Sequence, residues 1–168
     1  GKQEEFLRKK LKDFQGVLEE LKKTDLEKVF LPEDFAVKYK NKKGKIIRKE
    51  LPIESFPNDY EIFDVGSKTL KKYSKEIKKS SGVYMKGPVG DASDKKFLKG
   101  TKGILKAIGK SKTYSIIGGG HLTDALRNSK ISKKKFNHVS LSGGALLNYL
   151  AGKELPGLTG LIRSNVKN

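Results

Sequence analysis

Cysteine is absent from this 168-residue chain, and with it go disulfides, thiolate metal sites and cysteine nucleophiles. Histidine is nearly absent: His121 and His138 are the two, too few for a histidine-rich metal site, and no metal ligand is assigned. No run approaches the roughly 20 consecutive apolar residues of a membrane-spanning helix. The opening Gly1-Lys2-Gln3-Glu4-Glu5 lacks the charged-then-apolar layout of a signal peptide. A cytoplasmic protein with no membrane partner is the expectation. Arginine is scarce: of 37 basic residues only Arg8, Arg48, Arg127 and Arg163 carry a guanidinium. Readers of bases and phosphates favour that bidentate group, so a net charge of +18 built almost wholly from lysine argues against a nucleic-acid partner. Lysines interspersed with Glu along the whole chain suit a heat-adapted surface, or a charge balanced by an acidic partner domain or a polyanionic substrate. A basic nucleic-acid or polyanion-binding module is the alternative reading.

What the chain has is enough apolar content, 35%, for one real core, and its length predicts a single globular unit. Leu7, Leu11, Phe14, Leu18 and Leu21 recur at helical spacing between Glu4 and Lys23, which predicts a packed amphipathic helix. Val29 to Leu31 and Phe35 to Tyr39, with Pro32 between, predict strand interrupted by a bend. Asn41 to Lys45 predicts a hairpin-like turn, with Ile46 and Ile47 returning the chain.

From Ile62 a rhythm sets in. Strands are predicted at Ile62 to Val65, Val83 to Met85, Tyr114 to Ile117 and Val139 to Leu141. Helices are predicted from Lys68 to Lys79, from about Asp94 to Ile108, from near Leu122, and through Leu150. Strands alternating with helices specify an α/β fold, and short apolar strands without polar alternation imply that both sheet faces are covered. The expectation is a three-layer, Rossmann-like sandwich on a largely parallel sheet.

Three successive strand ends are rich in glycine: Gly87-Pro88-Val89-Gly90, Gly118-Gly119-Gly120 and Ser142-Gly143-Gly144. Open α/β sheets bind ligands beyond the carboxyl ends of their strands, where glycine lets the backbone approach a phosphate and helix N-termini offer free N–H groups. One such loop is an ordinary turn as readily as a site; three on one edge point to a polyphosphate held by backbone donors.

The residues around these loops resemble one family. Phe63-Asp64-Val65-Gly66-Ser67-Lys68-Thr69 is similar to the Asp-Ile-Gly-Pro-Lys-Thr segment of phosphoglycerate kinases. Gly87-Pro88-Val89-Gly90 with Phe97-Leu98-Lys99-Gly100-Thr101 resembles their Asn-Gly-Pro-Met-Gly loop followed by Phe-Ala-x-Gly-Thr. Ser115 to His121 resembles Ser-Ile-Ile-Gly-Gly-Gly-Asp, His138 to Ala145 resembles His-Val-Ser-Thr-Gly-Gly-Gly-Ala, and Gly152 to Gly157 resembles Gly-Lys-x-Leu-Pro-Gly. Order and spacing agree from about Val29 to Gly157.

The resemblance implies an enzyme that moves a phosphoryl group reversibly between 1,3-bisphosphoglycerate and ADP, using two α/β domains that close on a hinge. Residues 1–168 would be the greater part of the C-terminal, nucleotide-binding domain. Its first strands, and the N-terminal domain that binds 3-phosphoglycerate, would lie outside the chain, and a monomer from a heat-adapted, archaeal source is expected. The nucleotide, ATP or ADP with Mg²⁺, would meet Gly118, Gly119, Gly120, His121 and Leu122 at its phosphates and Gly87 and Val89 at its nucleoside. The family's ribose-binding Glu falls on Ser93, with Asp94 or Asp91 as the neighbouring carboxylates. Gly143 and Gly144 would face the transferring phosphoryl group. Lys10, or Lys9 in a different register, would be the lysine against it. His121 stands where the more common form of the family has a magnesium-binding Asp, and Lys86 where it commonly has Asn.

Overall fold

The structure, a computed structural model, describes residues 5, 8–9, 11–12, 15–23 and 25–165. Two compact units form where length suggested one: the first draws on Gly1–Glu76 and Val89–Ile104, the second on Ile77–Pro88 and Leu105–Asn168.

In the first unit, helix α1 (Gln15–Lys23) continues a helical stretch that includes residues 5, 8, 9, 11 and 12. Its expected packing is not seen at the described apolar positions, since Leu11 and Leu21 are exposed. Strands β1 (Asp34–Lys40) and β2 (Ile46–Pro52) form the predicted hairpin. Asn41 Oδ1 accepts from the N–H groups of Lys43 and Lys45 at 3.0 Å, and Gly44 turns the chain at φ +75°, a conformation glycine adopts without a Cβ clash. The expected strand at Val29 to Leu31 is absent: Leu26–Lys28 is a 3-10 turn capped by Asp25, and Phe30 and Leu31 lie exposed.

Strand β3 (Ile62–Val65) joins the far side of β1, giving an antiparallel sheet of order β2-β1-β3. Ala36, Val37 and Val65 are buried in this unit with Phe97, Leu98 and Ile104 from its second segment, and the Phe63 and Phe97 rings stand 5.1 Å apart. Helix α2 (Ser67–Lys79) starts against β1, where Asp34 accepts from the N–H groups of Lys68 and Thr69.

The second unit holds β4 (Gly82–Lys86), β5 (Tyr114–Gly118) and β6 (His138–Ser140) as a parallel sheet in sequence order. Parallel neighbours need crossovers, supplied by α3 (Lys99–Lys110) and α4 (Gly120–Asn128). Leu105, Ile108, Ile117, Leu122, Ala125, Leu126 and Phe136 are buried here. Helices α5 (Gly143–Leu150) and α6 (Pro156–Asn165) follow, and leave Leu147, Leu150, Leu158 and Ile162 exposed.

The expected single, largely parallel sheet is therefore corrected to a small parallel sheet and a separate antiparallel one. The reason lies in the Asn41 turn: it pairs β1 with β2 locally, and β3 completes that sheet rather than opening the parallel one. Helix α3 also begins at Lys99, not near Asp94. Asp91 and Asp94 bind the N–H groups of Ser93 and Lys96 with their own carboxylates, a local competition that favours turns over helix.

Candidate functional site

The carboxyl ends of β4, β5 and β6 lie at one edge of the parallel sheet, so Lys86-Gly87, Gly118-Gly119 and Ser140 to Ser142 are brought to the same side. Beyond β5 the chain needs Gly119, whose φ of +107° strains any side-chain-bearing residue. There the N–H of Gly119 donates to Ser140 O at 3.0 Å, tying one glycine turn to the other. The two turns approach so closely that a Cβ on Gly143 would stand 3.0 Å from Gly119 Cα. Tyr84 closes the group: its hydroxyl donates to Gly143 O at 3.3 Å.

Both helices that leave this edge begin without a side-chain cap and without an acid in the first turn. The first turn of an α-helix has N–H groups with no intrahelical partner. Gly119 uses its own on Ser140, and Ser142, at φ −90°, donates to Ser140 Oγ at 3.1 Å. Ser142 thus tolerates its ordinary backbone conformation, but its N–H is already engaged. Among the described residues the N–H groups of Gly120, His121 and Leu122, and of Gly143 and Gly144, have no partner outside their helices. The arrangement offers converging donors and two positive helix ends, which is the chemistry of an anion site. Leu122 contributes backbone only, its side chain being fully buried, whereas His121 is exposed. No group of three or more His, Cys, Asp or Glu side chains suited to a metal ion occurs among the described residues.

The remaining predicted residues belong to the first unit, apart from Lys10, which lies outside the described residues. Val89 N–H donates to the buried Thr101 hydroxyl at 3.1 Å. Ser93 gives both its N–H and its hydroxyl to Asp91 Oδ1, and those bonds hold the Asp91 carboxyl below its ordinary value. Asp94 Oδ1 accepts from Lys96 N–H at 2.9 Å. Lys9 is helical and exposed.

Sequence reasoning missed a polar cluster around β3. Asp64 is buried and accepts from Gly100 N–H at 2.8 Å and Val65 N–H at 2.9 Å, with Arg48 Nη2 at 3.4 Å. Burial pushes its carboxyl up, against the pull of those donors and the guanidinium. Glu50 pairs with Arg48 and accepts from Ser67 and Lys99. Burial alone would raise Glu50, but these partners outweigh it and its carboxyl sits at about 2. Three glycines make room for such groups: a Cβ on Gly66 would strike the Asp34 carboxylate, and one on Gly90 or Gly100 that of Asp64. An apolar-run reading of Ile62 to Val65 passes over the one charged residue in it.

A phosphoglycerate kinase family model matches residues 2–153. The chain belongs to the phosphoglycerate kinase family. The phosphoglycerate kinase of Methanothermus fervidus is 38% identical over 151 residues, which are 90% of this chain and 35% of that protein. That of Pyrococcus abyssi is 36% identical over 163 residues, 94% of this chain and 38% of that one. The crystal structure of phosphoglycerate kinase from Pyrococcus horikoshii OT3 superposes with a TM-score of 0.81 at 34% identity, over 98% of this chain and 40% of that one. This chain thus spans little more than a third of the curated phosphoglycerate kinases it matches. The family match begins at Lys2, so the N-terminal helix, where the motif resemblance is faint, falls inside it.

Proposed function

We propose that this chain is the nucleotide-binding portion of a phosphoglycerate kinase, and that the carboxyl edge of β4-β5-β6 receives the phosphates of ADP or ATP. The observation that carries the reading is the pair of uncapped helix starts at Gly120 and Gly143, joined through Gly119 N–H and Ser140 O, in a chain of this family. Gly118, Gly119, Gly120, His121 and Leu122 hold the nucleotide phosphates, and Gly143 and Gly144 face the group in transfer. Gly119 is committed to Ser140, so Gly120, His121 and Leu122 supply the free donors of the first turn. Gly87 and Val89 lie on the nucleoside side. Asp91 or Asp94 supplies a carboxylate to the ribose in place of Ser93, whose polar atoms are spent on Asp91. Lys10 meets the transferred phosphoryl group.

Transfer of this kind needs positioning and charge neutralisation more than an acid–base pair, and backbone N–H groups fixed by two helices provide both without reorganising. Magnesium arrives with the nucleotide. His121 presents an imidazole, whereas Mg²⁺ prefers oxygen, so His121 is not assigned as a ligand of the metal.

3-Phosphoglycerate or 1,3-bisphosphoglycerate binds to the remainder of the family's polypeptide. Leu147 and Leu150 on α5 and Leu158 and Ile162 on α6 are exposed, and exposed apolar side chains on both helices are in keeping with a further part of that polypeptide lying over them. Titration calorimetry with ADP, ATP and AMP tests the reading: ADP and ATP bind and AMP binds at least about tenfold more weakly, since charged phosphate contacts carry the affinity. The 168-residue chain alone turns over no 3-phosphoglycerate with ATP. Equal affinity for AMP and ADP, or turnover by the chain alone, overturns it.

A further inference from the structure

We infer that Lys86 is a built-in counter-ion for the nucleotide phosphates, so that this site holds ADP with little dependence on magnesium. The inference rests on the nucleotide reading above and concerns one residue that reading does not use. Lys86 ends β4 two residues after Tyr84, and residues at that spacing share a face of a strand. Tyr84 already reaches Gly143 O, so the same face delivers Lys86 to the start of α5. The Lys86 Cε lies 3.4 Å from the point a Gly143 Cβ would occupy, and that same point is 3.0 Å from Gly119 Cα and 3.4 Å from Gly119 N. The lysine stem, the Gly119 turn and the start of α5 therefore converge on one small volume, kept open because residue 143 has no side chain.

The charges at this place are all of one sign. A cation near a helix N-terminus is unfavourable, and here an ammonium stands beside one uncapped start and close to a second. Lys86 is exposed, and among the described residues no carboxylate lies within ion-pair distance of it and no acceptor takes its hydrogen bonds. Asp124, the acid next along α4, is turned to Arg127 at 3.5 Å. A bound polyanion relieves this repulsion, and the ammonium, a compact point charge with three donors, performs the neutralisation that a magnesium ion gives a nucleotide in water.

The test is titration calorimetry of ADP into the 168-residue chain in EDTA and in excess Mg²⁺, with K86Q and K86R beside the parent. The parent binds ADP with affinities within about threefold of each other in the two conditions. K86Q loses about tenfold or more in EDTA, the size of one charge-assisted contact, loses less in Mg²⁺, and so becomes magnesium-dependent; K86R keeps the parent's pattern. Far-ultraviolet circular dichroism confirms the fold of each variant, and the exposed position makes both substitutions tolerable. ADP binding by K86Q in EDTA equal to that of the parent, or a parent that needs magnesium as steeply as K86Q, overturns the inference while leaving the nucleotide reading in place. A parent that binds no ADP in either condition removes both.

Discussion

The Asp34 carboxylate accepts hydrogen bonds from Lys68 N–H at 2.9 Å and Thr69 N–H at 2.8 Å, and the Thr69 hydroxyl donates to it at 2.7 Å. A residue on β1 thereby caps a helix that starts more than thirty positions later, and Thr69 Oγ1 returns the favour by accepting from Glu33 N–H and Asp34 N–H. The start of the central strand and the helix start are pinned to each other by a buried acid. Asp34→Ala removes the carboxylate that accepts from the two helix-start N–H groups and leaves the Thr69 hydroxyl only Asp34 O as its acceptor, at a cost of about 2 kcal/mol in urea unfolding. Thr69→Val, which removes the partner hydroxyl, falls in the same range.

Glu50 sets the acid limb of stability. Its folded value of about 2 lies below its ordinary 4.5, so its contribution is complete above 4.5 and is lost as pH falls toward 2. Asp64 works in the opposite sense. Its raised carboxyl binds a proton more tightly folded than unfolded, so its ionisation weakens the fold as pH rises through the folded value. Urea midpoints of Glu50→Gln from pH 2 to pH 6 are expected to rise less steeply than those of the parent up to about pH 4.5. Parallel curves for the two proteins count against the Arg48, Ser67 and Lys99 partnership.

Glycines at the candidate edge separate into those the backbone requires and those it does not. Gly119→Ala forces a Cβ onto a backbone at φ +107° and destabilises by about 1–3 kcal/mol. Gly120→Ala meets open space in the first turn of a helix and is neutral or stabilising. Gly143→Ala crowds Gly119 Cα and the Lys86 stem, and lowers ADP affinity more than it lowers the thermal midpoint. Thermal melts and calorimetry on the three variants check this order.

Tyr84→Phe deletes the hydroxyl that holds Gly143 O. The expected loss is about 1 kcal/mol of stability with a several-fold weaker grip on ADP, because the start of α5 is less firmly placed. Unchanged ADP affinity would make Tyr84 a packing residue only.

Legibility in the sequence followed the range of the interactions involved. Strand, glycine turn and helix from Ile62 onward are local events, and all four strands and the helices between them stand close to their expected places. What sequence spacing could not show is pairing. The choice of β1 over β4 as partner for β3 depends on the hairpin made twenty residues earlier, and the late start of α3 on side-chain bonds within Asp91 to Lys96. At the candidate edge, Gly118 to Gly120 and Gly143 were visible as a glycine pattern. Tyr84 carried a signal as well, since it alternates with Lys86 on one strand face, but a strand read as uniformly apolar hides a hydroxyl. The resemblance put the family's ribose-binding Glu on Ser93 with Asp94 or Asp91 as the neighbouring carboxylates, and the bonds of Ser93 to Asp91 emerge only once the loop is folded.

The two segments of the first unit are separated in the chain by β4 of the second, and buried Asp64 is satisfied from both, by Val65 N–H in one and Gly100 N–H in the other. A ribosome therefore delivers the start of the second unit before the first can be completed, and the Asp64 carboxylate must wait, hydrated, until Gly100 has emerged. Neither unit boundary in this chain is a clean cut: a break after Glu76 parts Asp64 from its Gly100 donor, and one after Ile104 strands β4 from β5. Split-protein or domain-shuffling designs on this scaffold succeed only if they carry 1–104 or more as one piece and supply β5 in trans to β4.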